Sequence, residues 1–291
     1  MQLNSCKEIF IYKGKRGQDF KNLIFNLLSN CKLKKHYIDL LTDDKSINIF
    51  ENAFTSDTAD LENNYEVYEQ LGDITANKFI VWYMYRRFPQ LNCTKGVKVV
   101  ARLRINYGAK QSFANIADSL GFWDYISASE DERNHRKKAL LEDTLEAFLG
   151  ATERLIDDRI KEGVGYVVVY NLLKTIFDKI PISLKYEDLY DAKTRLKELF
   201  DFYPQETIGS IEYISNKVLL EDKNNFNYTY IYLITGYTVI NNKKVGGKKE
   251  EIGLGTSALK ADSEQKAALK ALCTLNSRGF VKPIPEFYNQ I

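Results

Sequence analysis

In "FKNLIFNLLSN", apolar residues at Phe20, Leu23, Ile24, Leu27 and Leu28 recur at the spacing of one helix face. The same period predicts helices in "VKVVARLRIN", in "FANIADSLG" (closed by Gly121 as a C-cap) and in "KKALLEDTLEAFLGATERLID". The stretch "NNYEVYEQLGDITANKFIVWYMY", Asn63 to Tyr85, predicts one long helix. "VGYVVVYNLLKTIFDK" opens with residues that also suit a strand, but its length favours a helix. Residues 1 to about 180 therefore predict a mostly helical region.

The pattern changes after Pro181. A helix of about three turns, "AKTRLKELFDFY", is followed by alternating β-branched and aromatic runs: "IGSIEYISNKVLL", "NFNYTYIYLITGYTVI" and "KKEEIGLGT". "NNKKVGG" between the last two supplies residues that tolerate the positive φ of hairpin turns. The helix "SEQKAALKALCTL" closes the region. The fold class expected is an all-α domain at 20–180 followed by an α+β domain of order α-β-β-β-α at 191–276. An N-terminal extension (1–19), a linker (181–190) and a C-terminal tail (277–291) complete the expected organisation.

Composition narrows the chemistry. The 41 Lys and Arg nearly balance the 39 Asp and Glu, so net charge selects no class of partner. The four cysteines, Cys6, Cys31, Cys93 and Cys273, form no close pair and read as ordinary buried thiols of a reducing compartment. The longest apolar run, Phe79 to Tyr85, is far shorter than the roughly 20 residues of a membrane span, and the first residues lack a signal-peptide core. A soluble intracellular protein with no membrane partner is expected. His36 and His135, the only two histidines, accompany no nucleophile motif, so catalysis must lean on carboxylates, lysines or metal.

Within the long predicted helix, Glu66, Glu69 and Asp73 share one stripe, while Val67, Leu71, Ile74, Phe79, Ile80, Val81 and Trp82 make much of the rest apolar. Such a helix is usually buried. "ALLEDTLEAFLGA" repeats the pattern with Asp143 and Glu146 on one stripe and Glu142 expected toward solvent. Each helix also carries an internal glycine, Gly72 or Gly150, at a cost of about 1 kcal/mol relative to alanine. Two such glycines predict a close crossing of the helices, which would bring Glu69, Asp73, Asp143 and Glu146 together. Neither helix offers a base on that stripe, so an oxygen-preferring divalent cation is the expected counter-charge. The other reading is that these acids lie on solvated faces of ordinary surface helices.

"YEVYEQLGD" resembles the ribonuclease III signature NERLEFLGD, and "EDTLEAFLGA" is similar to that family's second acidic motif, D-x-x-E-A-x-x-G-A. "RLRINYGAKQSFANIADSLGFWDYI" resembles the helical segment between them, and "DAKTRLKELF" with "GLGTSALKADSEQKAALKAL" resembles a double-stranded-RNA-binding domain. The resemblance spans about residues 20 to 275, in the family's domain order. It implies an Mg²⁺-dependent endoribonuclease, with Mn²⁺ able to substitute, that cuts double-stranded RNA to 5′-phosphate and 3′-hydroxyl products with short 3′ overhangs. It also implies a homodimer, with Glu69, Asp73, Asp143 and Glu146 as catalytic metal ligands and Glu66 as an auxiliary acid. Lys197, Glu198 and Lys260 fall on positions that contact RNA. A catalytically silent protein that sequesters double-stranded RNA is the alternative, and a protein-binding role for the second domain stays open. The Lys-, Asn-, Ile- and Tyr-rich composition suits an AT-rich genome, and a large DNA virus with the protein in host cytoplasm is the expected setting.

The chain departs from the family pattern in places. Tyr65 stands where the family has asparagine, and Gln70 replaces the aromatic residue that the family inserts into its dimer partner. The spacing from Asp73 to Asp143 is long, which assigns an enlarged loop to "ERNHRKK", Glu132 to Lys138, read as a flexible RNA-backbone contact or a solvated connector. Only Lys260 remains of a phosphate-touching lysine pair, and "EDKNNFN" replaces a Gly-Pro-x-His loop. These losses predict weakened RNA affinity on a retained fold.

Overall fold

The computed structural model describes residues 10–30, 33–219, 225–240 and 243–290. The chain forms two compact units that divide between Ile182 and Ser183. No helix among the described residues is long and apolar enough to cross a membrane.

The first unit is built from α1 (Gln18–Ser29), α2 (Lys35–Leu41), α3 (Asp44–Ala53), α4 (Glu66–Arg87), α5 (Gly96–Tyr107), α6 (Lys110–Ser119), α7 (Glu130–His135), α8 (Lys137–Arg159) and α9 (Gly165–Phe177). In α1 the predicted face splits: Phe20, Ile24 and Leu28 are buried. Asn64 Oδ1 accepts the Glu66 N–H at 3.2 Å at the start of α4, and Arg86 and Arg87 face the negative end of its dipole. Pro89 then prevents the helix from continuing. Gly121, at φ 78°, stops α6 in the left-handed region, as its C-cap position predicts. Helix α8 runs through the core with Leu140, Leu145, Phe148 and Ile156 fully buried.

Helices α4 and α8 cross where their glycines meet. A Cβ on Gly72 would overlap the Glu146 carbonyl oxygen, and one on Gly150 would overlap that of Tyr68. Both glycines therefore serve interhelical approach, the use inferred from their helix penalty.

Several expectations change. The segment before residue 20 is part of the unit: β1 (Ile11–Tyr12) pairs antiparallel with β2 (Ala128–Ser129), and the Arg16 guanidinium bonds Tyr125 O and Ser127 Oγ. The basic "ERNHRKK" stretch is the end of α7 and the start of α8, broken only at Arg136, and not an extended loop. Arg133 is held between the Tyr12 and Trp123 rings at 3.9 and 3.8 Å, Arg136 pairs with Glu132, and Lys137 pairs with Asp118. Cys93 and Cys273 are exposed free thiols, not buried ones, while Cys6 and Cys31 lie outside the described residues. Helix α4 is buried on one side only: Phe79 and Ile80 are enclosed, whereas Val67, Leu71, Ile74 and Trp82 are exposed.

The second unit contains α10 (Tyr186–Leu189), α11 (Ala192–Phe202), α12 (Gln205–Ile208), β3 (Ser210–Leu219), β4 (Asn225–Thr235), β5 (Thr238–Ile240), β6 (Lys243–Val245), β7 (Lys248–Ser257) and α13 (Lys260–Ser277). Strands β3, β4 and β7 form an antiparallel sheet in that order. The run expected as a single strand breaks at Gly236, and its remainder pairs as the β5–β6 hairpin. The tip of that hairpin and most of "EDKNNFN" lie outside the described residues. Leu196, Leu199, Ile231, Leu233, Ile252, Ala267 and Ala271 form the core between sheet and helices.

The expected linker from Ser183 on and the expected tail also belong to this unit. Tyr186 and Leu189 are buried, Tyr186 and Tyr190 pack on Tyr288, and Tyr203 OH donates to Val281 O at 3.0 Å.

Candidate active site

The crossing of α4 and α8 gathers acids. Carboxylate oxygens from Glu69, Asp143 and Glu146 all lie within 4.8 Å of one another. Glu69 sits in the first turn of α4, Asp143 and Glu146 one turn apart on α8. Glu146 is only 5% exposed. Burial, then repulsion from Asp73, Glu142, Glu69 and Asp143, pushes its carboxyl up to about 9. Burial followed by Asp143 raises Glu69, and burial raises Asp143 against the pull of Lys110. These shifts mark a cluster whose negative charge is undercompensated.

The fourth predicted acid stands at the border. Asp73 lies one turn beyond Glu69, exposed, with Oδ1 accepting from its own helix's Asn77 Nδ2 at 2.6 Å. It belongs to the surroundings of Glu146 but not to the group of three converging oxygens. Glu66 is exposed at the helix start, on a shallow concavity that Glu69, Gln70 and Asp73 also line.

A base does reach the cluster, from a third helix. Lys110 Nζ forms a close ion pair with Glu142 and lies 3.9 Å from Asp143 Oδ1. Glu142 is therefore not a solvent-facing acid; its side chain is 13% exposed. Burial lowers the Lys110 affinity for protons, but its bond to Glu142 and the charges of Glu142, Asp143 and Glu146 outweigh this and raise it. Lys110 is the first residue of α6, where the helix dipole disfavours a cation. A lysine at that unfavourable place was the one sequence signal for it.

Tyr65 also joins the site. It is 3% exposed, and its phenol donates to Asp143 Oδ2 at 3.3 Å. Burial followed by the Asp143 charge raises the phenol's affinity for its proton, so it remains a donor.

The donor set suits a hard cation: it offers oxygen only, and its charges are undercompensated. Glu69 belongs both to this donor set and to the concavity that opens to solvent, so an ion held here would have room for water and phosphate oxygens.

In the second unit the RNA-contact positions diverge. Lys197 is exposed on α11 beside Lys193 and Tyr213, and Lys260 is exposed at the start of α13, 3.8 Å from Glu264. Glu198 is half-buried. It accepts from Tyr186 OH and, at 2.6 Å, from Lys282 Nζ. Both bonds end on Oε2, so local partners of its own unit compete for this carboxylate.

Comparison with known proteins agrees with the site. A family model described as Ribonuclease III domain matches residues 66–152, a span that contains Glu66, Glu69, Asp73, Glu142, Asp143 and Glu146. A relative from Invertebrate iridescent virus 6, provisionally named ribonuclease 3, is 44% identical over 289 residues, covering 95% of this chain and 94% of its own. Another so named, from Frog virus 3 (isolate Goorha), is 39% identical over 256 residues, 87% of this chain and 62% of its own. The ribonuclease 3 of Halalkalibacterium halodurans is 26% identical over 268 residues, 91% and 88% of the two chains. With the acids gathered as they are, the chain belongs to the ribonuclease III family, as a member from a large DNA virus, and is an endoribonuclease of that type.

Proposed function

We propose that this endoribonuclease hydrolyses double-stranded RNA as a homodimer, leaving 5′-phosphate and 3′-hydroxyl ends with short 3′ overhangs. The observation that carries the reading is the convergence of Glu69, Asp143 and Glu146 within 4.8 Å at a glycine-enforced helix crossing. These three, with Asp73 turning in from Asn77, would hold Mg²⁺ or Mn²⁺, and Glu66 would act as an auxiliary acid at the rim. When bound, the cation supplies charge stabilisation at the scissile phosphate and a more acidic water. The residues' own part is to present oxygens from a rigid crossing, while Lys110 offsets the outer pair Glu142 and Asp143.

Dimerisation is supported by α4 itself. Val67, Leu71 and Ile74 are 58%, 42% and 64% exposed on one stripe, beside the acid stripe and beside Gln70. A second copy would cover them, and Gln70 would make a polar contact in place of an aromatic insertion. The three-stranded β3–β4–β7 sheet that shares a core with α11 and α13 supports the second unit's assignment as a double-stranded-RNA-binding domain, in which Lys197 and Lys260 touch phosphates. Host cytoplasm is the setting that fits such a substrate.

The test incubates the purified protein with long double-stranded RNA and with single-stranded RNA, in Mg²⁺ or EDTA, beside Glu146→Gln. Cleavage of the duplex in Mg²⁺ alone is expected, with the variant slower by more than about 100-fold, beyond the loss typical of outer partners of a metal ligand. Equal rates for both proteins, or turnover in EDTA, would overturn the metal assignment. Binding without cleavage by the wild type would favour RNA sequestration. Sedimentation should show a dimer at micromolar concentration.

A further inference from the structure

Asp143 is held from two sides by groups of different chemistry. Its Oδ1 faces the Lys110 ammonium at 3.9 Å, and its Oδ2 takes the Tyr65 phenol at 3.3 Å. The oxygen that faces a cation is thus distinct from the oxygen that a neutral donor occupies. Tyr65 is well placed to fix that division. Its backbone N–H donates to Thr55 O at 2.9 Å, and its carbonyl accepts the Glu69 N–H at 2.8 Å in the first turn of α4. A single residue therefore links the backbone of Glu69 to the side chain of Asp143 across the helix crossing. A shorter amide at this position, the residue of the family pattern, would not carry a donor as far.

We propose that Tyr65 is a positioning residue for Asp143: its phenol holds Oδ2 and so fixes the orientation of the whole carboxylate beside Glu69 and Glu146. The proposal rests on the reading of Asp143 as a metal ligand. Partners that orient a ligating carboxylate typically change metal affinity by 10- to 100-fold when removed. Tyr65→Phe keeps the ring and removes only the hydroxyl, so the fold is retained.

The experiment measures Mn²⁺ binding to RNA-free protein by electron paramagnetic resonance of the free ion. It compares wild type, Tyr65→Phe, Asp143→Asn and Tyr83→Phe. Tyr83 is on the same helix, 2% exposed, with its hydroxyl bonded to Asp178 at 2.9 Å, and so provides the same chemical change away from the acids. The expected result is Mn²⁺ affinity weakened about 10-fold in Tyr65→Phe, weakened more in Asp143→Asn and unchanged in Tyr83→Phe. Wild-type affinity in Tyr65→Phe with loss in Asp143→Asn would overturn the positioning role alone. An equal loss in both phenylalanine variants would also overturn it, since it would report general loosening. A wild type that binds no Mn²⁺, or an Asp143→Asn that binds it fully, would overturn the metal reading and this inference together.

Discussion

The acid cluster of the first unit and the RNA-contact positions of the second differ in how firmly the backbone holds them. At the crossing of α4 and α8, two glycines bring main chains so close that a single Cβ would collide, and the acids follow wherever the helices go. On α11 and α13 the side chains lie on a surface that any neighbour can claim. There Glu198 is taken by Tyr186 and Lys282, groups from segments expected to be linker and tail. The lesson is that a site built on enforced backbone approach keeps its residues together. A surface site keeps them only while no local partner competes.

The largest expected effect breaks the first half of that comparison. Gly72→Ala places a methyl group on the Glu146 carbonyl and should cost about 3 kcal/mol, with loss of cleavage because the acids separate. Thermal unfolding together with the duplex cleavage assay checks this, and a wild-type Tm would show that the crossing tolerates expansion.

A smaller effect sharpens the electrostatic account. Glu146 holds its proton up to about pH 9 in the fold against an ordinary value of 4.5, so the folded chain binds protons more tightly than the unfolded chain across that window. Stability in EDTA should therefore fall as pH rises from 5 to 9, by about 2 kcal/mol or more. Glu146→Gln should flatten the decline, and Mg²⁺ should restore the wild type at high pH, because it binds only the folded state. A Tm series against pH decides it; identical slopes for both proteins would contradict the buried-acid origin.

The smallest effect concerns the second unit. Lys197→Ala should weaken duplex binding by roughly threefold and reduce its salt dependence. Glu198→Ala should leave affinity nearly unchanged while lowering stability by about 1 kcal/mol through its two lost partners. Binding titrations at two salt concentrations would separate them. A larger loss of affinity from Glu198→Ala would return that residue to the RNA interface.

Helix periodicity made α1, α4, α5, α6, α8 and α9 legible, and the paired acids and glycines made the crossing legible. The short α2 and α3 were not separately readable, since a helix of 7 or 10 residues carries too few turns for a firm period. The basic Glu132 to Lys138 stretch read as loop because its stabilising partners, Tyr12, Trp123 and Asp118, are remote in sequence. Glu142 was misplaced for the same reason: its partner Lys110 lies on another helix.

The sequence by itself determined which residues could carry the chemistry, because glycine spacing and acid stripes are local properties of single helices. Only the tertiary structure decided how they are used. It gathered Glu69, Asp143 and Glu146 but left Asp73 at the border with Asn77. It also brought Lys110 and Tyr65 to Asp143 and withdrew Glu198 into its own unit. The reason is that burial, ion pairing and hydrogen bonding are made between elements far apart in the chain, and no local pattern records who the partner is.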